Sequence, residues 1–137
     1  MRLLPGENRN YDHGQSNIFV ILCPRMIAFV RCCWMFKLVI LLKKKPTLSD
    51  ADFAKYLLET HAPLAKKMPG IRRYVVNIVR RPPNREPDYH GVVELSFDDV
   101  SAMKNAFASL EGKATSKDTE VFSDNATVLY IDEHSIV

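Results

Sequence analysis

Cysteine is scarce in this 137-residue chain and unevenly placed: Cys23, Cys32 and Cys33 all precede Met35. There is no CxxC pair and no accompanying histidine cluster, so a zinc site is not expected. An odd count suits a disulfide framework poorly, and a reducing, cytoplasmic setting is the expectation. A strong charge of one sign is also lacking. The net charge of +3 is too weak to argue for a nucleic-acid partner. Long uninterrupted apolar runs are missing too. "IFVILCPRMIAFVRCCW" is broken by Pro24-Arg25 and Arg31, whereas a membrane span needs about 20 uncharged apolar residues. The run lies too late, and lacks the small-residue cleavage site, for a secretory signal. No glycine-rich phosphate loop, nucleophile motif or metal-ligand spacing occurs. The sequence therefore points to no metal, no cofactor, no membrane and no nucleic acid.

The chain has 47% apolar and 26% charged residues, an ordinary balance for one domain with its own core. It reads as two unlike parts. Residues 1–34 open with the polar "LPGENRNYDHGQSN" and continue into the broken apolar run. At Met35 the character changes. The expectation is an N-terminal extension over residues 1–34, arising from an upstream start codon and lying outside the fold, then a domain over residues 35–137. The alternative is that the first part adds a hydrophobic strand or helix. Folding of the chain without residues 1–34 tests the expectation.

"FKLVILL", Phe36 to Leu42, is short and almost wholly apolar, which predicts a strand buried on both faces. Ser49 with Asp52 resembles a capping box. Phe53, Leu57, His61, Leu64 and Met68 then follow at spacings of 4, 4, 3 and 4, the pattern of one helix face. Pro63 cannot donate to the Glu59 carbonyl, which predicts a kink or break near Ala62. Pro69-Gly70 stops the helix. Ile71–Val79 and Tyr89–Phe97 read as a strand pair around the proline-rich loop "RRPPNREPD". Asp98-Asp99 opens a second helix carrying Val100, Met103, Phe107 and Leu110. "EGKATSKDTEVFSD" reads as a polar loop holding at most a short helix. "ATVLYIDE", Ala126 to Glu133, is the last strand. The order β-α-β-β-α-β predicts the ferredoxin-like α+β arrangement, a four-stranded antiparallel sheet with both helices on one face.

Side-chain alternation then asks what covers the other face. On the first strand Lys37, Val39 and Leu41 share one face and Phe36, Leu38, Ile40 and Leu42 the opposite one, and both sets are largely apolar. Arg73, Val75, Asn77 and Val79 supply one side of the second, and His90, Val92, Glu94 and Ser96 one side of the third. The set Tyr89, Val93, Leu95 and Phe97 is better core, and Tyr74, opposite Asn77, is assigned to packing. An open face so rich in valine and leucine should not meet bulk water. A second copy is the simplest cover, giving a homodimeric barrel whose interior is a candidate small-molecule pocket. The arrangement also serves RNA-binding modules. There, however, the third strand carries stacking rings, and here Val92 and Glu94 occupy those positions.

"FKLVILLKKKPTLSDADFAKYLLETHAPLAKKMPGIRRYVVN", together with "HGVVELSF" and the terminal "DEHSIV", closely resembles EthD-type domains over residues 35–137. The resemblance implies a dimeric α+β barrel. It also implies company with proteins linked to the oxidative breakdown of small organic molecules and to the tailoring of aromatic polyketides. Related barrels include muconolactone isomerases and cofactor-free monooxygenases. Two positions depart from the family pattern. Ser96 stands in place of a tryptophan, and His90 in place of an aspartate before Gly91.

His61 has the strongest claim to chemistry. It is a titratable ring on an apolar stripe, where burial favours the neutral, proton-accepting form. The plainer reading is a core histidine bonding a carbonyl at the helix break. Glu94 is a carboxylate in an apolar strand, suited to acid–base work or to an ion pair with Arg73 or Lys37. Asn77, Arg73, His90, Val92 and Val39 complete a candidate substrate-binding set around these catalytic candidates. The expected function is a cofactor-independent oxidoreductase, isomerase or dehydratase acting on a small hydrophobic or aromatic molecule. The competing expectation is a non-catalytic ligand-binding or accessory barrel.

Overall fold

A computed structural model describes residues 35–134 and 136–137, and the expectation for residues 1–34 falls outside them. The described chain runs β1 (Phe36–Lys44), α1 (Asp50–Tyr56), a π-helical turn (Leu57–His61), α2 (Ala62–Ala65), β2 (Arg73–Ile78), β3 (Gly91–Phe97), α3 (Val100–Ala108), α4 (Leu110–Phe122) and β4 (Ser123–Ile131). With each run of helix taken as one unit, this is the predicted β-α-β-β-α-β order. The four strands pair antiparallel in the order β2-β3-β1-β4, a ferredoxin-like α+β fold.

Pairing register fixes what each face carries. Ile40 lies opposite Val93 and Val128, and Leu38 opposite Leu95 and Tyr130. Tyr74 and Val76 continue this row on β2, opposite Leu95 and Val93. The row meets the helices, and Leu38, Ile40, Tyr74, Val76, Val93 and Leu95 join the core with Phe53, Leu57, Met103 and Phe122, while Val128 and Tyr130 at the β4 edge stay exposed. Phe53, Phe97 and Phe122 are almost fully buried, each contributing on the order of 1.5–3 kcal/mol. Lys37, Val39, Leu41, Glu94, Val92, Val75 and Asn77 project from the opposite face, as alternation requires.

Local sequence explains the helix starts. The Asp52 N–H donates to Ser49 Oγ at 3.0 Å, and Ser49 Oγ lies 2.7 Å from Asp52 Oδ2, so the capping box forms with aspartate. Asp99 caps α3 by accepting from the Ala102 N–H at 2.7 Å. Ser109 both ends α3 and caps α4, accepting from the Gly112 N–H at 3.0 Å. The corner is tight: a Cβ on Gly112 would come within 2.1 Å of the Ala106 carbonyl oxygen.

Two expectations change. The kink foreseen near Ala62 is a π-helical turn one step earlier, in which the Ala62 N–H reaches the Leu57 carbonyl. Buried positions run Phe53, Leu57, His61, Ala65 and Met68, so Ala65 takes the inward place assigned to Leu64. A repeat of four overshoots a turn of about 3.6 residues, and the wider π turn absorbs the surplus. The second change is larger. "EGKATSKDTEVFSD" is mostly helix: α4 spans 13 residues, ending at Phe122. Its low helix propensity is overridden by packing through Gly112, Thr115 and Phe122, all buried.

Candidate functional site

His61 enters the interior from the π turn and is almost wholly buried. Its Nδ1 lies 2.8 Å from Asp118 Oδ2, and Tyr56 donates its hydroxyl to Asp118 Oδ1, also at 2.8 Å. An ionised carboxylate only accepts, so Nδ1 carries a hydrogen, and in the neutral ring the lone pair is then on Nε2. The ring packs edge-on against Phe122 at 4.9 Å between centroids. Phe122 in turn touches Tyr56 and Phe53. Burial, a fixed tautomer and an oriented carboxylate together make a histidine ready to take a proton at Nε2. The bond to Asp118, followed by burial, holds the Tyr56 hydroxyl above its ordinary pKa, so Tyr56 stays a donor.

His61 lines a cavity of about 170 Å³ between the helices and the sheet. Its walls are mainly apolar, with Ile40, Met68, Val93 and Phe107 among them. Thr115, Ser116 and Thr119 of α4 also border it, but each hydroxyl donates to a carbonyl of its own helix, at 2.8, 2.9 and 3.1 Å. Tyr74 borders the cavity as well. Its buried hydroxyl has no hydrogen-bond partner among the described residues, and burial pushes its pKa up to about 12.

Glu94 is not part of this constellation. Its neighbours Val93 and Leu95 face the helices, so Glu94 faces away from His61. There Lys37 Nζ lies 3.1 Å from Glu94 Oε2, and Asn77 Nδ2 donates to Oε1 at 3.1 Å. Lys37 also pairs with Glu133. That bond and the one to Glu94 raise the lysine's pKa, and Lys37 lowers that of Glu133. Arg73, Val92 and Val39 share this face. None of Asn77, Arg73, His90, Val92 or Val39 lines the cavity, which opens on the helix side of the sheet and not on the face that alternation gives them. This corrects the expectation that these residues surround His61.

His90 belongs to a third group. It precedes β3 and is buried, accepting from the Lys44 N–H at Nδ1 (3.4 Å) with Nε2 3.2 Å from Glu86. Ligand atoms of Asp50, Glu86 and His90 lie within 4.8 Å of one another. However, Arg81 holds both carboxylates, at 3.1 and 2.8 Å, and Lys44 approaches Asp50 at 3.7 Å. With Nδ1 accepting, the His90 hydrogen is on Nε2 and no ring lone pair is left for a cation. The group is a charge-compensated clasp joining β1, α1 and the loop before β3.

Sequence reasoning missed Asp118, Tyr56 as its partner, and the free hydroxyl of Tyr74. Tyr56 and Tyr74 had visible signals, flanking the helix stripe and belonging to the core-facing strand set. Asp118 had only its place in a polar run.

The sheet order and the helices packed on one of its faces define a ferredoxin-like α+β domain, with the Asp118–His61 pair beside a mainly apolar cavity. The EthD domain family model matches residues 45–126, and the chain belongs to that family. Among solved structures, it is similar to an ethyl tert-butyl ether degradation (EthD) family protein from Bacillus halodurans, with 31% identity and a TM-score of 0.64. That alignment covers 73% of this chain and 99% of the other. A dimeric ferredoxin-like protein from Bacteroides fragilis matches at 17% identity and TM-score 0.57, covering 72% of this chain and 96% of that one. SnoaB, a cofactor-independent oxygenase from Streptomyces nogalater, matches at 16% and 0.55, covering 76% and 97%. At these lower identities the likeness concerns the fold. No curated protein matches the chain. No helix among the described residues is long and apolar enough to cross a membrane.

Proposed function

We propose that this protein is a cofactor-independent enzyme of the cytoplasm that moves a proton on a small hydrophobic or aromatic molecule. The observation that carries this reading is the 2.8 Å contact between His61 Nδ1 and Asp118 Oδ2 beside an apolar cavity. Asp118 fixes the ring and stabilises the imidazolium that forms when Nε2 takes a proton, and Tyr56 holds the carboxylate in place. The dry walls hold a hydrophobic body and keep water from competing. The substrate anion left behind is set up for reaction with O₂, isomerisation or loss of water. A cofactor-independent oxygenase sharing the fold makes the first of these a natural starting point.

Glu94, Asn77 and Arg73 are assigned a different task. They lie with Val39, Leu41, Val75 and Val92 on the sheet face away from the helices. That face suits a second copy of the chain, and a protein that shares the fold is dimeric. Glu94 then holds Lys37 and Asn77 at the interface rather than reacting.

Turnover of phenols, anthrones and muconolactones by wild type and His61→Ala is the test. Loss of turnover in a folded, dimeric His61→Ala protein supports the reading. Wild-type protein that binds these compounds without converting any of them overturns it in favour of a ligand-binding barrel.

A further inference from the structure

Two residues that border the cavity, His61 and Tyr74, carry polar groups, and they enter from different margins of the sheet. Tyr74 is on β2, one edge strand, and β4 forms the other edge. His61 is held by Asp118 and Phe122 of α4, which runs directly into β4 and packs on it. Each threonine and serine hydroxyl bordering the cavity already donates to a helix carbonyl. The Tyr74 hydroxyl donates to nothing among the described residues. A buried hydroxyl without a partner is costly, and native interiors rarely keep one without a use.

We infer that Tyr74 is the anchor for a substrate oxygen, and that the substrate is a neutral single-ring compound carrying that oxygen in conjugation with the position His61 deprotonates. This rests on the proposed role of His61 and names the substrate class for the same site. A cavity of about 170 Å³ is of the order that accommodates one benzene ring (about 150 Å³), and three fused rings exceed it. Among the described residues, no side chain bordering the cavity is a lysine, arginine or carboxylate, so they offer a charged substrate no counter-ion of that kind. The step balances within the substrate and His61. The C–H or O–H bond breaks, its proton goes to Nε2, and its electron pair passes through the conjugated system to the oxygen at Tyr74. The Tyr74 O–H then donates to an oxygen whose charge has grown, so the bond is stronger after proton transfer than before. With its pKa pushed to about 12 by burial, the phenol remains a donor throughout the neutral range.

The test uses the full chain and needs no turnover. Acetophenone, its oxygen-free counterpart ethylbenzene, and anthrone are titrated while the methyl signal of Met68, which borders the cavity, is followed by NMR. Acetophenone is expected to move that signal and anthrone to leave it in place. Tyr74→Phe is expected to weaken acetophenone about tenfold, the size of one net hydrogen bond, with ethylbenzene unchanged. Because the substitution removes an unpartnered hydroxyl, the ligand-free variant is expected to melt no lower than wild type. The inference is overturned if Tyr74→Phe leaves acetophenone binding untouched or weakens both compounds equally. It is also overturned if anthrone binds in preference, or if acetophenone leaves Met68 unmoved. A preference for oxygen that disappears in His61→Ala but survives in Tyr74→Phe moves the anchor to His61 and leaves the proposed function standing. The expected binding pattern without conversion of any compound overturns the proposed function and leaves the anchor standing.

Discussion

His61 Nδ1 and Asp118 Oδ2 lie 2.8 Å apart although 57 positions separate the two residues in the chain. The pair exists only because α4 lies alongside the π turn, and the polar surface of α4 conceals it in the sequence. Asp118→Asn keeps the shape of the side chain but lets it present a donor to Nδ1, favouring the wrong tautomer. Turnover is expected to fall about a hundredfold or more, the usual scale for a general base, with KM little changed. Tyr56→Phe frees one carboxylate oxygen and is expected to cost less, about tenfold. Steady-state kinetics on the first compound found to be converted checks both. Equal rates for wild type and Asp118→Asn would remove Asp118 from the machinery.

The predicted role of Glu94 at an interface separates from that of His61. Glu94→Gln weakens its bond to the Lys37 ammonium, which retains Glu133. Sedimentation is expected to show a weaker dimer, while ligand binding at Met68 stays as in wild type. A variant that dimerises normally but loses ligand would bring Glu94 back to the site.

Gly112 is a steric requirement. A methyl group there meets the Ala106 carbonyl oxygen at 2.1 Å and the Phe107 Cα at 2.6 Å, all backbone. Gly112→Ala is expected to destabilise the fold by about 2 kcal/mol or more, read from urea unfolding. Because the displaced helix carries Asp118, activity is expected to fall in the protein that still folds.

Alkaline pH tests the burial of Tyr74. In the unfolded chain this phenol loses its proton near 10, and in the fold near about 12. The folded state thus binds more protons between these values, and stability falls as pH rises through that window. Tyr56 and Lys37, both shifted upward, act in the same direction. Urea melts at pH 8, 10 and 11 are expected to show declining stability, with a shallower decline in Tyr74→Phe. An identical slope in the variant would mean that Tyr74 is already accessible to hydroxide.

The sheet was legible in the sequence because its period is short and its apolar content high. β1, β3 and the division of their side chains between two faces follow from "FKLVILL" and "GVVELSF". His61 was legible as an inward residue because it interrupts an apolar stripe. The same alternation, carried through, separates His61 from Glu94: Val93 and Leu95 belong to the helix side, so the residue between them cannot. What could not be read was α4. Its buried contacts are Gly112, Thr115 and Phe122, two of them small, so no apolar periodicity announces a helix. Asp118 was therefore hidden with it. The free hydroxyl of Tyr74 was hidden for another reason, since satisfaction of a polar atom is a property of its surroundings.

The π turn at Leu57–His61 gives this helix one residue more than a regular ladder needs, immediately before the catalytic candidate. Length is thereby a variable of the site, apart from composition. Deleting a single residue within that turn would turn the Ala62-to-Leu57 bond into an ordinary helical step and leave the turns on either side in phase. The turn can thus be gained or lost without disturbing the helix on either side, so likeness of fold does not by itself carry the placement of the histidine.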